Sequence, residues 1–331
     1  MSVFIKLADY IDEIYGSGIN KHDEESAFVN IFQALLSENE AEVALSLNNS
    51  LETVCQISNR TGVSEEYLAQ CLETLSYKGI IYEYIENNVR FYRLMPFVPG
   101  ILESLIKIST NSMIAEYLQK YADEMEHYKQ EYTQSVIPVN CKINVQVQNA
   151  SLREIEIYLE NTDKYAVMDC ICRTIQEARG KACGHPIHDM CLIIGDYADF
   201  YVRIGNAKFI SRQEVYDILE RAEEQGLYHE LYPVEKNKST FICNCCTCGC
   251  MFMGLANRIN KVVAYEAAVR IIDKQCTNCG KCIEECPERV FSWGENNETI
   301  EINSEKCFQC GWCVIFCENH AIEFGEKGAL C

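Results

Sequence analysis

Residues 276–287 read CTNCGKCIEECP and residues 307–317 read CFQCGWCVIFC, so one pattern, C-x2-C-x2-C-x3-C, occurs twice in close succession. Such spacing bends the backbone into a loop around a single point, which is what metal coordination requires. The chain carries 21 cysteines in 331 residues. Four are scattered (Cys55, Cys71, Cys141, Cys331), nine fall between 170 and 250, and eight fall between 276 and 317. The start, MSVFIKLADYIDEIYG, carries acids inside its apolar stretch and reads as an amphipathic helix rather than a leader. No apolar run approaches the roughly 20 residues that span a bilayer. The expected compartment is therefore the cytoplasm, with no membrane partner. Thiols there are kept reduced, so the cysteines are not read as a disulfide framework.

The paired runs resemble the signature of bacterial two-cluster ferredoxins, in which the fourth cysteine of each run serves the other cluster. The resemblance implies that Cys276, Cys279, Cys282 and Cys317 hold one [4Fe–4S] cluster and that Cys307, Cys310, Cys313 and Cys286 hold the second. Gly280 and Gly311 follow the second cysteine of each run and permit tight turns. Glu318 stands where the second run would usually carry proline, a residue that shapes the turn and is no ligand. The apolar strands AAVRIID and AIEF flank the runs. Zinc is the competing occupant, but it favours paired CxxC knuckles and has no use for the third and fourth cysteine of each run.

The middle region adds Cys170, Cys172, Cys183, Cys191, Cys243, Cys245, Cys246, Cys248 and Cys250. YAVMDCICR reads as a buried strand ending in Cys-x-Cys, and TFIC as another that breaks into NCCTCGC. A helix lies between them, with Ser211 as cap, Glu214 completing a capping box and Gly226 ending it. In an extended chain alternate side chains share a face. One site is then expected from Cys170, Cys172, Cys243 and Cys245, and a second from Cys183 and Cys191 with two of Cys246, Cys248 and Cys250. A single larger cluster using six or more sulfurs, and structural zinc, are the competing readings. His185 and His188 are candidate non-cysteine ligands, each also readable as an ordinary loop histidine. Arg173 is expected either to hydrogen-bond cluster sulfide or to pair with Asp169.

CICR, CNCCTCGC, PFVPG at 96–100 and the two C-terminal runs together resemble the 4Fe-4S dicluster ferredoxin-domain proteins of anaerobic bacteria and archaea. That resemblance covers most of the chain and implies iron–sulfur binding and electron transfer in an anaerobe. Where family members often read CCC, this chain reads Cys248-Gly249-Cys250.

Residues 50–94 order as helix, TGVS turn, helix and a hairpin tipped by ENN, and they resemble a winged helix. Residues 100–135 are expected to continue as helix, a packing or dimerising arm. The second helix carries Glu65, Glu66 and Glu73 against Lys78, and only Arg90 and Arg93 are basic nearby. A helix that reads the major groove normally presents basic and amide side chains. Cys55 and Cys71 read as core residues.

The sequence thus predicts an α+β multidomain protein. Residues 1–140 form a helical, winged-helix-like domain, 141–262 a mixed α/β Cys-rich domain, and 263–331 a two-cluster ferredoxin domain. Two [4Fe–4S] clusters are expected at the C-terminal end and one or two further iron–sulfur centres in the middle. Net charge is −20, which repels nucleic acid. No nucleotide or flavin motif is present. The expected role is low-potential electron transfer between redox partner proteins, such as ferredoxins or oxidoreductase subunits. Possible alternatives are a reductase with a substrate-binding middle cluster and a redox-sensing winged-helix regulator.

Overall fold

The computed structural model describes residues 1–15, 21–126, 135–137, 155–235, 238–246, 248–251, 267–272, 274–286, 288–296, 298–304, 307 and 311–326. It is a mixed α/β molecule with several sheets. Cys141, Cys310 and Cys331 lie outside the described residues.

The N-terminal part packs α1 (Val3–Tyr15), α2 (Ala27–Leu35) and α3 (Glu38–Leu45) against α4 (Val54–Thr61) and α5 (Glu65–Tyr77). Capping boxes at Ser37/Glu40 and Thr53/Gln56 start α3 and α4, each cap contributing about 1 kcal/mol. An antiparallel hairpin follows, β1 (Ile81–Glu86) with β2 (Val89–Leu94). Asn87 and Asn88 both take positive φ at its tip, the geometry a two-residue turn demands. Residues 100–126 are not one continuous helix. A kinked turn over 97–101 and a short helical turn precede α6 (Ser112–Glu126). Cys71 is half-buried and Cys55 is exposed, because α4 turns Ile57 inward and leaves Cys55 on the solvent side.

The middle part is built on a six-stranded sheet with strand order β3-β7-β8-β5-β4-β6. The strands are β3 (Ser135–Ile137), β4 (Tyr165–Met168), β5 (Cys191–Ile194), β6 (Lys208–Phe209), β7 (Tyr228–Glu235) and β8 (Ser239–Cys245), and every pairing is antiparallel. The edge strand β3 precedes residue 141, so the sheet draws on chain from both sides of that point. Alternation sorts the two faces. Val167, Leu192, Ile194, Leu231 and Ile242 pack with Val215, Ile218 and Leu219 of α9 (Arg212–Glu224). Ala166, Met168, Cys191, Ile193, Phe241 and Cys245 join the larger core shared with the N-terminal helices.

That shared core is fastened by aromatic residues. Tyr82 of β1 stacks on Tyr197 of α8 (Asp196–Arg203), with centroids 4.3 Å apart and rings 8° from parallel. The pair adds about 0.5–1.5 kcal/mol beyond its buried area. Arg93 covers both rings and donates to the Tyr197 hydroxyl at 2.7 Å.

In the C-terminal part, β9 (Ala267–Ile271) pairs with β12 (Ile322–Glu326), and β10 (Phe291–Trp293) with β11 (Ile300–Ile302). Two short helices, α10 (Lys281–Glu285) and α11 (Trp312–Phe316), each start from a glycine in the left-handed region. Trp312 is buried and belongs to the main core, whereas Cys313 and Val314 on the same helix belong to the small C-terminal core. Among the described residues no helix is long and apolar enough to cross a membrane.

Candidate metal centres

Cys276, Cys279, Cys282 and Cys317 line one cavity of about 350 Å³, part of it open to solvent. Ile271, Ile300 and Ile322 from the flanking strands complete its apolar wall. The Ala321 amide donates to Cys317 Sγ at 3.2 Å, a contact that favours the charged form of a sulfur ligand. Burial pushes the Cys282 thiol up to about 11, so a thiolate there requires a cation beside it. Cys286, Cys307 and Cys313 pack together in the same small core. Four thiols around one apolar cavity form a soft donor set of the kind that iron–sulfur clusters take. At the place of the usual proline, Glu318 pairs with Lys281 at 2.7 Å.

The middle region is assembled by strand register. Cys191 of β5 stands opposite Cys243 of β8, and Cys243 opposite Glu230 of β7. Directly paired residues project to the same side, so this row places two thiols and a carboxyl on the core-facing side at one end of the sheet. Cys170 is not at the end of a strand as the sequence suggested. It is the residue that caps α7 (Ile171–Ala178), and Cys172 lies in that helix's first turn.

Six thiols neighbour one another in a closed ring. Cys170 interacts with Cys172 and Cys191, Cys191 with Cys243, Cys243 with Cys245, and Cys250 with both Cys245 and Cys172. Bonds from Cys172 and Cys191 hold Cys170 well below the ordinary thiol range. Bonds from Cys191 and Cys245 hold Cys243 at about 6. Cys172, Cys191 and Cys245 are pushed well up, first as donors to those neighbours and then by burial.

Cys183, Cys246 and Cys248 form a separate group with sulfurs within 4.8 Å of one another, and Cys183 Sγ stands 3.8 Å from Cys246 Sγ. Burial pushes Cys246 and Cys248 up; Cys248 is the exposed member. The expected grouping therefore changes in two places. Cys191 and Cys250 stand with Cys170, Cys172, Cys243 and Cys245, and Cys183 stands with Cys246 and Cys248. Cross-strand register moves Cys191, and the turn closed by the Cys250 amide on the Cys246 carbonyl moves Cys250. The adjacent Cys245 and Cys246 do join different groups.

Arg173 does not pair with Asp169. Its guanidinium donates to the carbonyls of Pro186 and Asn244, while Asp169 accepts from the Asp189 amide and lies 2.9 Å from His188. Burial opposes the Arg173 charge, but Cys170, Cys246, Cys191 and Cys245 outweigh it and raise the group's pKa. Arg173 is thus a fixed cation serving both thiol groups. Gly249 explains the interruption of the cysteine run. A Cβ there would lie 2.8 Å from Cys183 Sγ, 3.2 Å from Arg173 Cγ and 3.3 Å from Cys246 Sγ. His188 is exposed and paired with Asp169, which raises its pKa. His185 is half-buried, with its pKa lowered by burial and by Arg173.

Two carboxyls beside the ring escaped the sequence reading. Burial pushes Glu230 well up, helped by Cys250 and Cys243. Burial pushes Glu103 up to about 8, with Cys243 adding to it, and its Oε2 accepts from the Gly100 amide at 2.6 Å. Neither residue carries a local signal, since both come to the thiols by long-range packing.

The spaced thiols of the C-terminal part define a ferredoxin-type iron–sulfur domain. Residues 275–322 match the family described as 4Fe-4S dicluster domain. No curated protein and no solved structure matches the chain.

Proposed function

We propose that this chain is a multicentre iron–sulfur protein that relays electrons between redox partner proteins, through its C-terminal domain and a metal centre in its middle region. Cys276, Cys279, Cys282 and Cys317 would hold one [4Fe–4S] cluster, and Cys286, Cys307, Cys310 and Cys313 the other. The six-thiol ring would hold a further iron–sulfur centre, and Cys183, Cys246 and Cys248 a fourth site. Such clusters, when bound, exchange single electrons at potentials set by net charge, hydrogen bonds and burial. The chain's residues shield the sulfurs, donate amide hydrogen bonds and fix Arg173 as a positive charge. The carrying observation is that six thiols, five buried and Cys243 half-buried, close on one another in the core that Trp312 of the C-terminal domain also enters. Soft thiolates in that number suit iron–sulfur chemistry better than zinc, which takes four.

Residues 50–94 are read as a winged helix serving protein docking or a homodimer contact. Support comes from its basic side chains, which are engaged within the chain: Lys78 with Glu40, Arg90 with Glu83, and Arg93 with Tyr197. A cytoplasmic, anaerobic setting follows from the reduced thiols this reading requires.

One observation favours a second reading, a reductase fed by the ferredoxin domain. Among the described residues Cys183, Cys246 and Cys248 are three thiols rather than four, and Cys248 opens to solvent. A cluster so held keeps one coordination position for substrate.

Anaerobic purification with iron and sulfide quantitation, then electron paramagnetic resonance after dithionite, tests both readings. More iron than the about eight atoms of two cubes, with signals beyond two interacting cubes, is expected. Spectral change with cyanide or carbon monoxide selects the reductase, and unchanged spectra select electron relay. Colourless, zinc-loaded protein prepared without air overturns both.

A further inference from the structure

Glu230 is fully buried on β7, in direct register with Cys243. Its two carboxyl oxygens are treated differently by their surroundings. Oε2 accepts from the Tyr232 hydroxyl at 2.6 Å and from Cys245 Sγ at 3.4 Å. Oε1 is buried and has no hydrogen-bond partner among the described residues. A carboxyl present only for packing would have both oxygens satisfied, as buried polar atoms nearly always do. Glu230, Cys245 and Cys250 bring one carboxylate oxygen and two sulfurs within 4.8 Å of one another, and all three residues are buried. A buried oxygen left bare beside two sulfurs is one that a cation would satisfy.

We propose that Glu230 is a ligand of the metal centre held by the six-thiol ring, binding one iron through Oε1 beside Cys245 and Cys250. The inference rests on reading that ring as an iron–sulfur centre. Tyr232 then acts as the positioning residue, since its hydroxyl holds Oε2, fixes the rotation of the carboxyl and leaves Oε1 for the metal, the outer-shell arrangement by which proteins orient ligating carboxylates. One iron of the centre differs from the rest in having an oxygen donor among its sulfurs. The carboxyl takes the non-cysteine role for which the sequence suggested His185 or His188.

The test uses the full-length protein prepared without air as wild type, E230Q, E230A and E230C, with iron counts and Mössbauer spectra. Glutamine keeps the side chain's shape, so the comparison survives if alanine destabilises the fold. The wild type is expected to show a minority iron component with the larger isomer shift of an oxygen-ligated site. E230A loses about one iron per chain relative to wild type, the single atom the carboxylate holds. E230C retains that iron but moves its component into the all-sulfur range, and E230Q retains it only in part. Iron above the about eight atoms of two cubes, with counts and spectra identical in all four proteins, overturns the role of Glu230 alone. Iron in the wild type no higher than that number overturns the parent reading and this inference with it.

Discussion

The Glu318 carboxylate lies 2.7 Å from the Lys281 ammonium, so the end of the second cysteine run is tied to the turn of the first. Lys281 holds the Glu318 carboxyl below its ordinary range. The contribution to stability is therefore present above the normal carboxylate pKa and fades as pH falls through the lowered one. Both groups face solvent, so salt screens them. E318Q should melt like the wild type at high salt and slightly lower at low salt near neutral pH. Its iron content and visible spectrum should be unchanged, because the position carries no ligand. Thermal melts across ionic strength, with iron analysis, check this.

Gly249 has no room for a side chain. G249A places a methyl group 2.8 Å from Cys183 Sγ, and overpacking of this kind costs about 1–3 kcal/mol. The variant should unfold at lower urea. It should also bind less metal at Cys183, Cys246 and Cys248, while the C-terminal cavity keeps its iron. Urea titration followed by circular dichroism, with metal analysis, reads both effects.

Glu103 supplies a pH signature. Burial keeps it protonated up to about pH 8, whereas in an unfolded chain it ionises near the ordinary glutamate value of about 4.3. Between those limits the folded state binds the extra proton, so stability is full below the lower value and declines as pH rises towards 8. One such group contributes a slope approaching about 1.4 kcal/mol per pH unit. E103Q keeps an acceptor for the Gly100 amide and removes the titration. Its urea midpoint should fall less than the wild type's across that window and exceed it at pH 8.

Duplex DNA should not bind. Arg93 is turned onto Tyr82 and Tyr197, and Arg90 is paired with Glu83, which leaves the hairpin without free positive charge for phosphates. Electrophoretic mobility should be unshifted at about 0.15 M salt, the physiological range, with oxidised and with reduced protein. R93A should change nothing in that assay but lower the melting temperature, because it removes a cation–π contact worth about 0.5–2 kcal/mol.

Local chemistry made much of this legible in the sequence. Capping residues announced α9 through Ser211 and Glu214, paired asparagines announced the β1–β2 turn, and fixed intervals announced the C-terminal cysteine loops. These signals act within a few residues. The middle site was legible only as a set of cysteines. Its partition depends on which residue of β5 faces which residue of β8, and no local pattern encodes that pairing. Treating Cys-x-Cys as extended chain also failed, because Cys170 caps a helix. No local pattern marks Glu230, and only strand register places it beside Cys243.

The abreast placement of Cys191, Cys243 and Glu230 on three neighbouring antiparallel strands limits how this chain can change over time. Adding or deleting one residue within β5, β7 or β8 would swing that strand's donor to the opposite side of the sheet, towards α9. Substitutions can be tried one position at a time along these strands, but a change in their length would dismantle the site in a single event.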